Sequence, residues 1–279
     1  MKNINSKTKI LGIFGHPIEH SLSPIIHNKW FEKYKLNCIY TAFDVLPENL
    51  KSAVNSIKTL NIFGVNVTVP HKVNIMKYLD FTDSNAKNIG SVNTIVNKNN
   101  KLFGYNSDYE GFIKDLKTNN INLKNKNILI VGAGGAAKAI VYALNKLKVK
   151  KIFLTSRTLS KANLFSKKYK SISLIDIKEI SKDFLKDKDI GCLINCSTCG
   201  MKKNDTLPFE IKNYNKKIIF YDVIYNKLTP FKKFALKNKI KYFSGEGMLV
   251  YQAAVSFYKW TNIFPETKNI FKVVKRNLK

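Results

Sequence analysis

The stretch NILIVGAGGAAKAIVYALNKL, residues 127–147, constrains the fold more than any other part of the chain. Four apolar residues, Ile128 to Val131, suit a buried strand. A glycine-rich turn follows, and then a run whose apolar residues recur at helical spacing. Strand, tight turn and helix in that order make half of a βαβ unit, which points to an α/β fold with parallel strands. The turn, Gly132-Ala133-Gly134-Gly135-Ala136-Ala137, fits the pattern G-x-G-x-x-A. Small residues there permit a sharp turn, let backbone approach a pyrophosphate, and let helix pack on strand, while the helix start offers free N–H groups. Gly132, Ala133, Gly134, Gly135 and Ala136 are therefore candidate dinucleotide-binding residues. A plain glycine-rich connection is the alternative, and it is weaker in this context.

The next strand indicates which dinucleotide. An NAD site places an acid about 20 residues further on, where it holds the ribose 2′-hydroxyl. Here no Asp or Glu occurs between Asp115 and Asp176. The strand KIFLT instead runs into Ser156, Arg157 and Thr158, with Lys161 one turn later. Hydroxyls and cations suit a 2′-phosphate, so NADP is preferred. The bland alternative is a solvated basic helix start. Arg157 is one of only two arginines in the chain, the other being Arg276.

That scarcity of arginine bears on the net charge of +29. A charge so large suggests nucleic acid. Yet almost all of it is lysine spread along the chain, whereas arginine is the preferred fork for phosphates and base edges. We expect no nucleic-acid role, only a diffuse field that favours small anions. No apolar run nears the ~18 residues of a membrane span, the start MKNINSKTKI lacks an apolar signal core, and four cysteines make no disulfide scaffold. A cytoplasmic protein without membrane contact is expected.

The 279 residues suffice for two cores. Strand-like KILGIF (9–14), CIYTAFDV (38–45) and IFGVNVTV (62–69) alternate with helical patterns over 24–35, 48–60 and 72–79. SVNTIVN (91–97) and KLFGYN (101–106) form a hairpin-like pair, followed by a helix over 107–116 that Ser107 or Asp108 could cap. Beyond the polar connection 117–126 come the glycine turn, then strands in KIFLTSR, SLIDI, CLINCST and KIIFYDVIY, and a last helix over 248–260. Two α/β domains are expected.

In the first half, polar residues gather where strands end: Ser21 and Ser23, Asn66 and Thr68 with Lys72, Asn93, then Asn106, Ser107 and Asp108. Open α/β sheets bind ligands at the carboxyl ends of their strands. Alternation in GVNVTVPHK puts Val65, Val67 and Val69 on a core face and Asn66 and Thr68 on a ligand face, and Pro70 ends the strand so that Lys72 can turn back. Hydroxyls, amides, one lysine and one aspartate suit a small molecule bearing hydroxyls and a carboxylate. Singly, each has a plainer reading as helix cap, turn former or surface lysine.

Taken together the motifs resemble the shikimate dehydrogenase family. The matching segments are GHPIEHSLSPIIHN (15–28), GVNVTVPHK (64–72), GSVNTI (90–95), GYNSDYEGF (104–112), GAGGAAKA (132–139), SRT (156–158), INCSTCGM (194–201), YDVIYN (221–226) and GEGMLVYQAAVSFYKWT (245–261). The resemblance implies NADPH-dependent reversible reduction of 3-dehydroshikimate to shikimate, within aromatic amino-acid biosynthesis. It implies a substrate pocket of Ser21, Ser23, Asn66, Thr68, Lys72, Asn93, Asp108, Tyr225 and Gln252, with Lys72 and Asp108 as the catalytic pair. It adds Gly245 to the cofactor residues, and it implies a monomer or homodimer. It also implies a substrate domain of residues 1–107 and 246–279, completed by C-terminal helices, around a Rossmann-type NADP domain of residues 108–245.

Departures from the family pattern are few. S-R-T replaces N-R-T, which keeps a small hydrogen-bonding residue before the arginine. Lys227-Leu228-Thr229-Pro230 after Tyr225-Asn226 alters the loop that carries Tyr225. Cys196 and Cys199 form C-x-x-C near Cys192, but further ligands are lacking and all four histidines precede Lys72, so no metal is expected.

Overall fold

The computed structural model describes residues 4–202, 204–225 and 228–278; within helix 159–166 the side chains of Leu159, Lys161, Leu164 and Phe165 lie outside the description. Two compact units divide the chain. One comprises the chain through Phe112 together with Leu249–Asn277, the other Ile113–Met248.

The first unit begins β1 (Lys9–Gly15), α1 (Ser23–Lys33), β2 (Cys38–Asp44), α2 (Leu50–Thr59) and β3 (Gly64–Val67). It continues with β4 (Phe81–Thr82), α3 (Ser84–Ile89), β5 (Thr94–Lys98) and β6 (Lys101–Tyr105). Its sheet runs in the order β2-β1-β3-β5-β6-β4. β1 pairs in parallel with β2 and β3, whereas β5 is antiparallel to both β3 and β6. Asn99 and Asn100, with φ of 51° and 57°, close the β5–β6 hairpin. Two successive left-handed residues make the tight turn that matches strand twist, and Asn tolerates that conformation best among residues with a side chain.

α4 (Asp108–Thr118) and α9 (Glu246–Thr261) each carry the chain between the units, and α10 (Lys268–Asn277) ends it. α9 is apolar almost all round. Val250, Ala253, Ala254, Phe257 and Trp260 are all buried, as an apolar helix must be in water. α4 meets it where Gly111 stands: a Cβ there would lie 2.7 Å from the Gln252 nitrogen, so only glycine allows the approach.

In the second unit β7 (Asn127–Val131), α5 (Gly135–Lys146), β8 (Lys151–Thr155), α6 (Leu159–Ser166) and β9 (Ile172–Leu174) form one half. The other half is α7 (Phe184–Asp187), β10 (Ile190–Asn195), β11 (Ile219–Asp222), α8 (Pro230–Lys237) and β12 (Lys241–Ser244). The sheet order is β12-β11-β10-β7-β8-β9 with every pair parallel. This is the doubly wound arrangement, whose order reverses between β7 and β10. The crevice at such a reversal is where these sheets bind dinucleotides.

Each unit has its own apolar cluster, around Val65, Val67, Ile75 and Ile95 in the first and around Leu129, Phe153, Leu193 and Phe220 in the second. Burying one such side chain stabilises by about 1.5–3 kcal/mol.

Several expectations need correction. Val69 is 64% exposed and does not share the buried face of Val65 and Val67. β3 stops at Val67, and the His71 amide donates to the Thr68 carbonyl, so Val69 sits in a turn where strand alternation no longer applies. The helix expected over 72–79 is a turn followed by a single 3₁₀ segment, Asn74–Tyr78. β4, α3, α7, α8, β12 and α10 were not legible in the sequence reading.

Candidate active site

Five residues from five parts of the first unit converge in one hydrogen-bonded cluster: Asn66 on β3, Lys72 in the turn after it, Asn93 just before β5, Asp108 at the start of α4, and Gln252 on α9. Lys72 Nζ donates to Asp108 Oδ2 at 2.7 Å, with side chains only 14% and 5% exposed. An ion pair so withdrawn from water holds its geometry, and removing either partner would strand the other charge. Asn93 Nδ2 donates to Asp108 Oδ1 at 2.8 Å, so both carboxylate oxygens are engaged. The turn bearing Lys72 is pinned from both sides: its carbonyl accepts from the Val92 amide, and buried His71 Nε2 lies 2.6 Å from the Val45 carbonyl.

Tyr40 OH donates to Asn66 Oδ1 at 2.7 Å, and Asn66 Nδ2 donates to the Asn93 carbonyl and to Ser256 Oγ. Ser23, buried at the first position of α1, hydrogen-bonds with Tyr40, whose phenol burial holds well above its usual pKa. Ser21 is half-buried and accepts the Ser23 amide on its hydroxyl. Thr68 is half-buried just beyond β3 and donates its amide to the Phe14 carbonyl. Neither serine acts as a side-chain cap of α1, whose cap position is Leu22. Gln252 is partly buried, its Nε2 donating to the Leu249 carbonyl.

The reading from sequence missed Tyr40, Thr94, Ser107 as a network member, and Ser256. One signal was available for Ser256: it lies one helical turn beyond Gln252, on the same stripe as Ala253 and Trp260, a polar residue on an otherwise apolar face.

In the second unit, Gly132 has φ +108°, and a Cβ there would stand 2.7 Å from the Cys196 carbonyl carbon. Backbone conformation and the close approach of the β10 end both require glycine at this position. By contrast, nothing lies within 4 Å of where a Cβ of Gly134 would point. Gly134 is also the cap position of α5 and offers no side-chain cap to the helix's first N–H groups, which begin at Gly135 and Ala136. Ala133 bridges the two glycines. A glycine-rich helix start with no side-chain cap, at the sheet's reversal point, fits a dinucleotide pyrophosphate.

At the end of β8, Ser156 is buried and donates its hydroxyl to the Thr158 carbonyl at 2.9 Å, which shapes the turn that presents exposed Arg157 and Thr158. The side chain of Lys161 lies outside the described residues. Gly245 follows β12, where a Cβ would collide with the Val223 carbonyl oxygen. Tyr225, in the same unit, is half-buried, and burial raises its phenol pKa. Its segment is anchored by buried Asp222, which accepts from the Ile224 amide, Thr229 Oγ1, Tyr242 OH and Asn195 Nδ2. Burial raises the Asp222 pKa against the pull of these donors.

The cysteines are free thiols. Burial pushes Cys192 up to about 12 and, with the nearby carboxylates Asp205 and Asp222, Cys199 up to about 11. Such thiols stay protonated at neutral pH and are poor ligands and nucleophiles. Among the described residues no group of three or more His, Cys, Asp or Glu is placed to hold a metal ion.

Comparison with known proteins agrees with this division. Residues 13–95 match the model of the shikimate dehydrogenase substrate binding domain, and residues 115–220 match that of shikimate / quinate 5-dehydrogenase. A shikimate dehydrogenase (NADP(+)) from Caldanaerobacter subterraneus is 41% identical over 279 residues, covering 98% of both chains. A crystal structure of a shikimate dehydrogenase in complex with NADP+ superposes with a TM-score of 0.89 at 38% identity, covering 99% of this chain and 98% of that one. The shikimate 5-dehydrogenase of Listeria monocytogenes, crystallised with shikimate and NAD, superposes at 0.85 with 30% identity over 98% of this chain and 99% of its own. Two family models in sequence order and relatives matched end to end leave one conclusion: the chain belongs to the shikimate dehydrogenase family.

Proposed function

We propose that the chain catalyses the NADP(H)-dependent interconversion of 3-dehydroshikimate and shikimate, in the shikimate pathway. The observation that carries this reading is the buried Lys72–Asp108 pair, clamped on its second oxygen by Asn93.

When bound, the reduced cofactor supplies a hydride to the C3 ketone. The backbone N–H groups at the start of α5 take its pyrophosphate, and Arg157 and Thr158, on a turn shaped by Ser156, read its 2′-phosphate. What the first unit must do is manage the proton. As the ketone becomes an alcohol its oxygen gains negative charge, and the Lys72 ammonium stabilises that charge and donates the proton. Asp108 keeps the ammonium aimed by accepting at Oδ2, and in the reverse direction the pair takes the proton back. Ser21 and Ser23 face the substrate carboxylate, while Asn66, Thr68, Asn93 and Gln252 bind ring hydroxyls. Tyr225 and Gly245 serve the same reaction from the second unit. Free thiols fit a reducing cytoplasm, and the proposed partners are these small molecules, with the chain a monomer or homodimer.

The test is turnover of Lys72→Ala beside the wild type, with NADP and shikimate. We expect kcat to fall by about 10²–10⁴-fold, the usual contribution of a positioned general acid/base, while shikimate binding weakens far less. Near-normal turnover would remove Lys72 from the reaction.

A further inference from the structure

Ser256 is fully buried on α9, yet its hydroxyl lies within hydrogen-bonding distance of groups from β3, β5, the residue before α4 and its own helix. A hydroxyl has one proton to give and two lone pairs. Counting protons around it leaves little freedom. Asn93 Oδ1 already accepts the Ser107 amide at 2.7 Å and Thr94 Oγ1 at 2.9 Å, which fills it. Thr94, having spent its proton, is an acceptor, and its shortest contact is Ser256 Oγ at 2.7 Å. Ser256 therefore donates to Thr94 rather than to the Gln252 carbonyl at 3.1 Å. Ser107 Oγ receives from Asn93 Nδ2 at 2.9 Å and passes its own proton to Ser256 at 3.0 Å, in preference to Asn93 Oδ1 at 3.2 Å, which is already filled, and to Thr94 Oγ1 and Gln252 Oε1, each at 3.3 Å. Asn66 Nδ2, at 3.0 Å, fills the second lone pair of Ser256.

The result is a closed circuit in which every bond runs the same way round: Asn93 to Ser107 to Ser256 to Thr94 and back to Asn93. We propose that Ser256 closes this one-way ring and is thereby a positioning residue for the reaction, helping the Ser107 amide and Asp108 to hold the side-chain amide of Asn93 and leaving Gln252 Oε1 open to substrate. The inference rests on the function proposed above.

Two consequences follow from the circuit. With Oδ1 of Asn93 tied into the ring, its Nδ2 must face Asp108, which it holds at 2.8 Å; a reversed amide would set oxygen against carboxylate. With the Ser107 proton committed to Ser256, Gln252 Oε1 keeps only long contacts, of 3.3 and 3.4 Å, and can accept from a ring hydroxyl. Removing the Ser256 hydroxyl opens the circuit. Thr94 loses its donor, Ser107 redirects its proton to Gln252 Oε1, and Thr94, no longer anchored by Ser256, holds Asn93 Oδ1 less firmly, leaving the Ser107 amide as the remaining fixed donor to that oxygen.

The test compares full-length Ser256→Ala, Thr94→Val and the double variant, with Thr94→Ser as the conservative control. We expect each single variant to lower kcat and raise the KM for shikimate, so that kcat/KM falls by about tenfold, the effect of one lost hydrogen bond. The KM for NADP should not change. Thr94→Ser, which keeps the hydroxyl, should retain kcat/KM within about twofold. The double variant should fall about as far as either single, because a circuit opened once is not opened further. Multiplicative losses in the double variant, an equal loss in Thr94→Ser, or a Ser256→Ala enzyme with unchanged kcat/KM would each overturn the proposal. If Ser256→Ala fails to fold, Thr94→Val against Thr94→Ser decides alone. A wild type without NADP-dependent shikimate turnover would instead refute the function on which the ring's role depends.

Discussion

In the first unit the polar groups gathered at the strand ends are side chains bonded to one another; in the second the strand end leads into a glycine turn and a helix start without a side-chain cap, beside an exposed arginine. Lys72, Asp108, Asn93, Asn66 and Ser256 are each fixed by partners from other elements, whereas Gly134 gives the start of α5 no side chain to cap it. The contrast follows from what each is proposed to bind. A small polyhydroxylated acid is told from its analogues by where its hydroxyls lie, so amides and hydroxyls must be held in advance, and a site of buried hydrogen-bonding groups rejects a ligand that leaves one unpaired. A pyrophosphate is the same in every dinucleotide, and a helix start serves it without side chains. Specificity in the second unit then falls to the few side chains at the end of β8.

Arginine 157 gives the largest expected effect on this division. Arg157→Ala should weaken NADP binding by about 10–150-fold, equivalent to losing charge-assisted bonds of about 1.5–3 kcal/mol, and leave NAD nearly unchanged because NAD lacks the 2′-phosphate. Titration of the variant with each dinucleotide checks it. Equal losses would mean that the backbone cradle, and not the β8 end, accounts for cofactor preference.

The side-chain assembly of the first unit should also be sensitive to acid in a way that one residue explains. His27 is fully buried, its ring stacked at 4.5 Å on Tyr40, and neither ring nitrogen has a hydrogen-bond partner among the described residues. Burial lowers its pKa from 6.5 to about 3, offset only in part by the nearby Asn66 side chain. Between those values the unfolded chain binds a proton that the folded chain does not, so stability falls as pH drops below 6.5, at up to about 1.4 kcal/mol per pH unit. His27→Phe keeps an aromatic ring and removes the titration. Denaturant unfolding at several pH values should show the wild type losing stability relative to the variant on acidification and parallel behaviour above pH 7. Curves that stay parallel down to pH 4 would show that His27 is not the group responsible.

Smallest is Gln252→Ala, which should raise the shikimate dissociation constant by about tenfold and leave that of NADP alone, since the amide belongs to the first unit. A loss confined to NADP would contradict the assignment of the substrate to that unit.

What the sequence disclosed and what it hid have physical reasons. The strand–turn–helix at 127–147 is contiguous, and its small residues answer a local demand, such as the φ of +108° at Gly132, so it could be read directly. Lys72 and Asp108 were legible through their motifs, and Asn66 through strand alternation. The ring was not, because Ser107 and Ser256 are 149 residues apart and Thr94 and Ser256 are 162 apart. No local pattern reports a bond of that span. Val69 was misread because alternation marks a face only while pairing lasts, and the pairing of β3 with β1 ends at Val67. α8 and α10 were overlooked in lysine-rich stretches where only a few buried positions, Phe231 and Ala235 or Ile270 and Val274, carry the helical period.

The central claim is that the first unit selects shikimate while the second selects NADP. It is tested most directly by initial rates of the wild type with shikimate or quinate, each with NADP or NAD, followed at the reduced-nicotinamide absorbance. We predict rapid reduction of NADP with shikimate, much slower reduction when either NAD or quinate is substituted, and the slowest with both. Absence of turnover with NADP and shikimate, or a rate with NAD and quinate that matches it, would contradict the account.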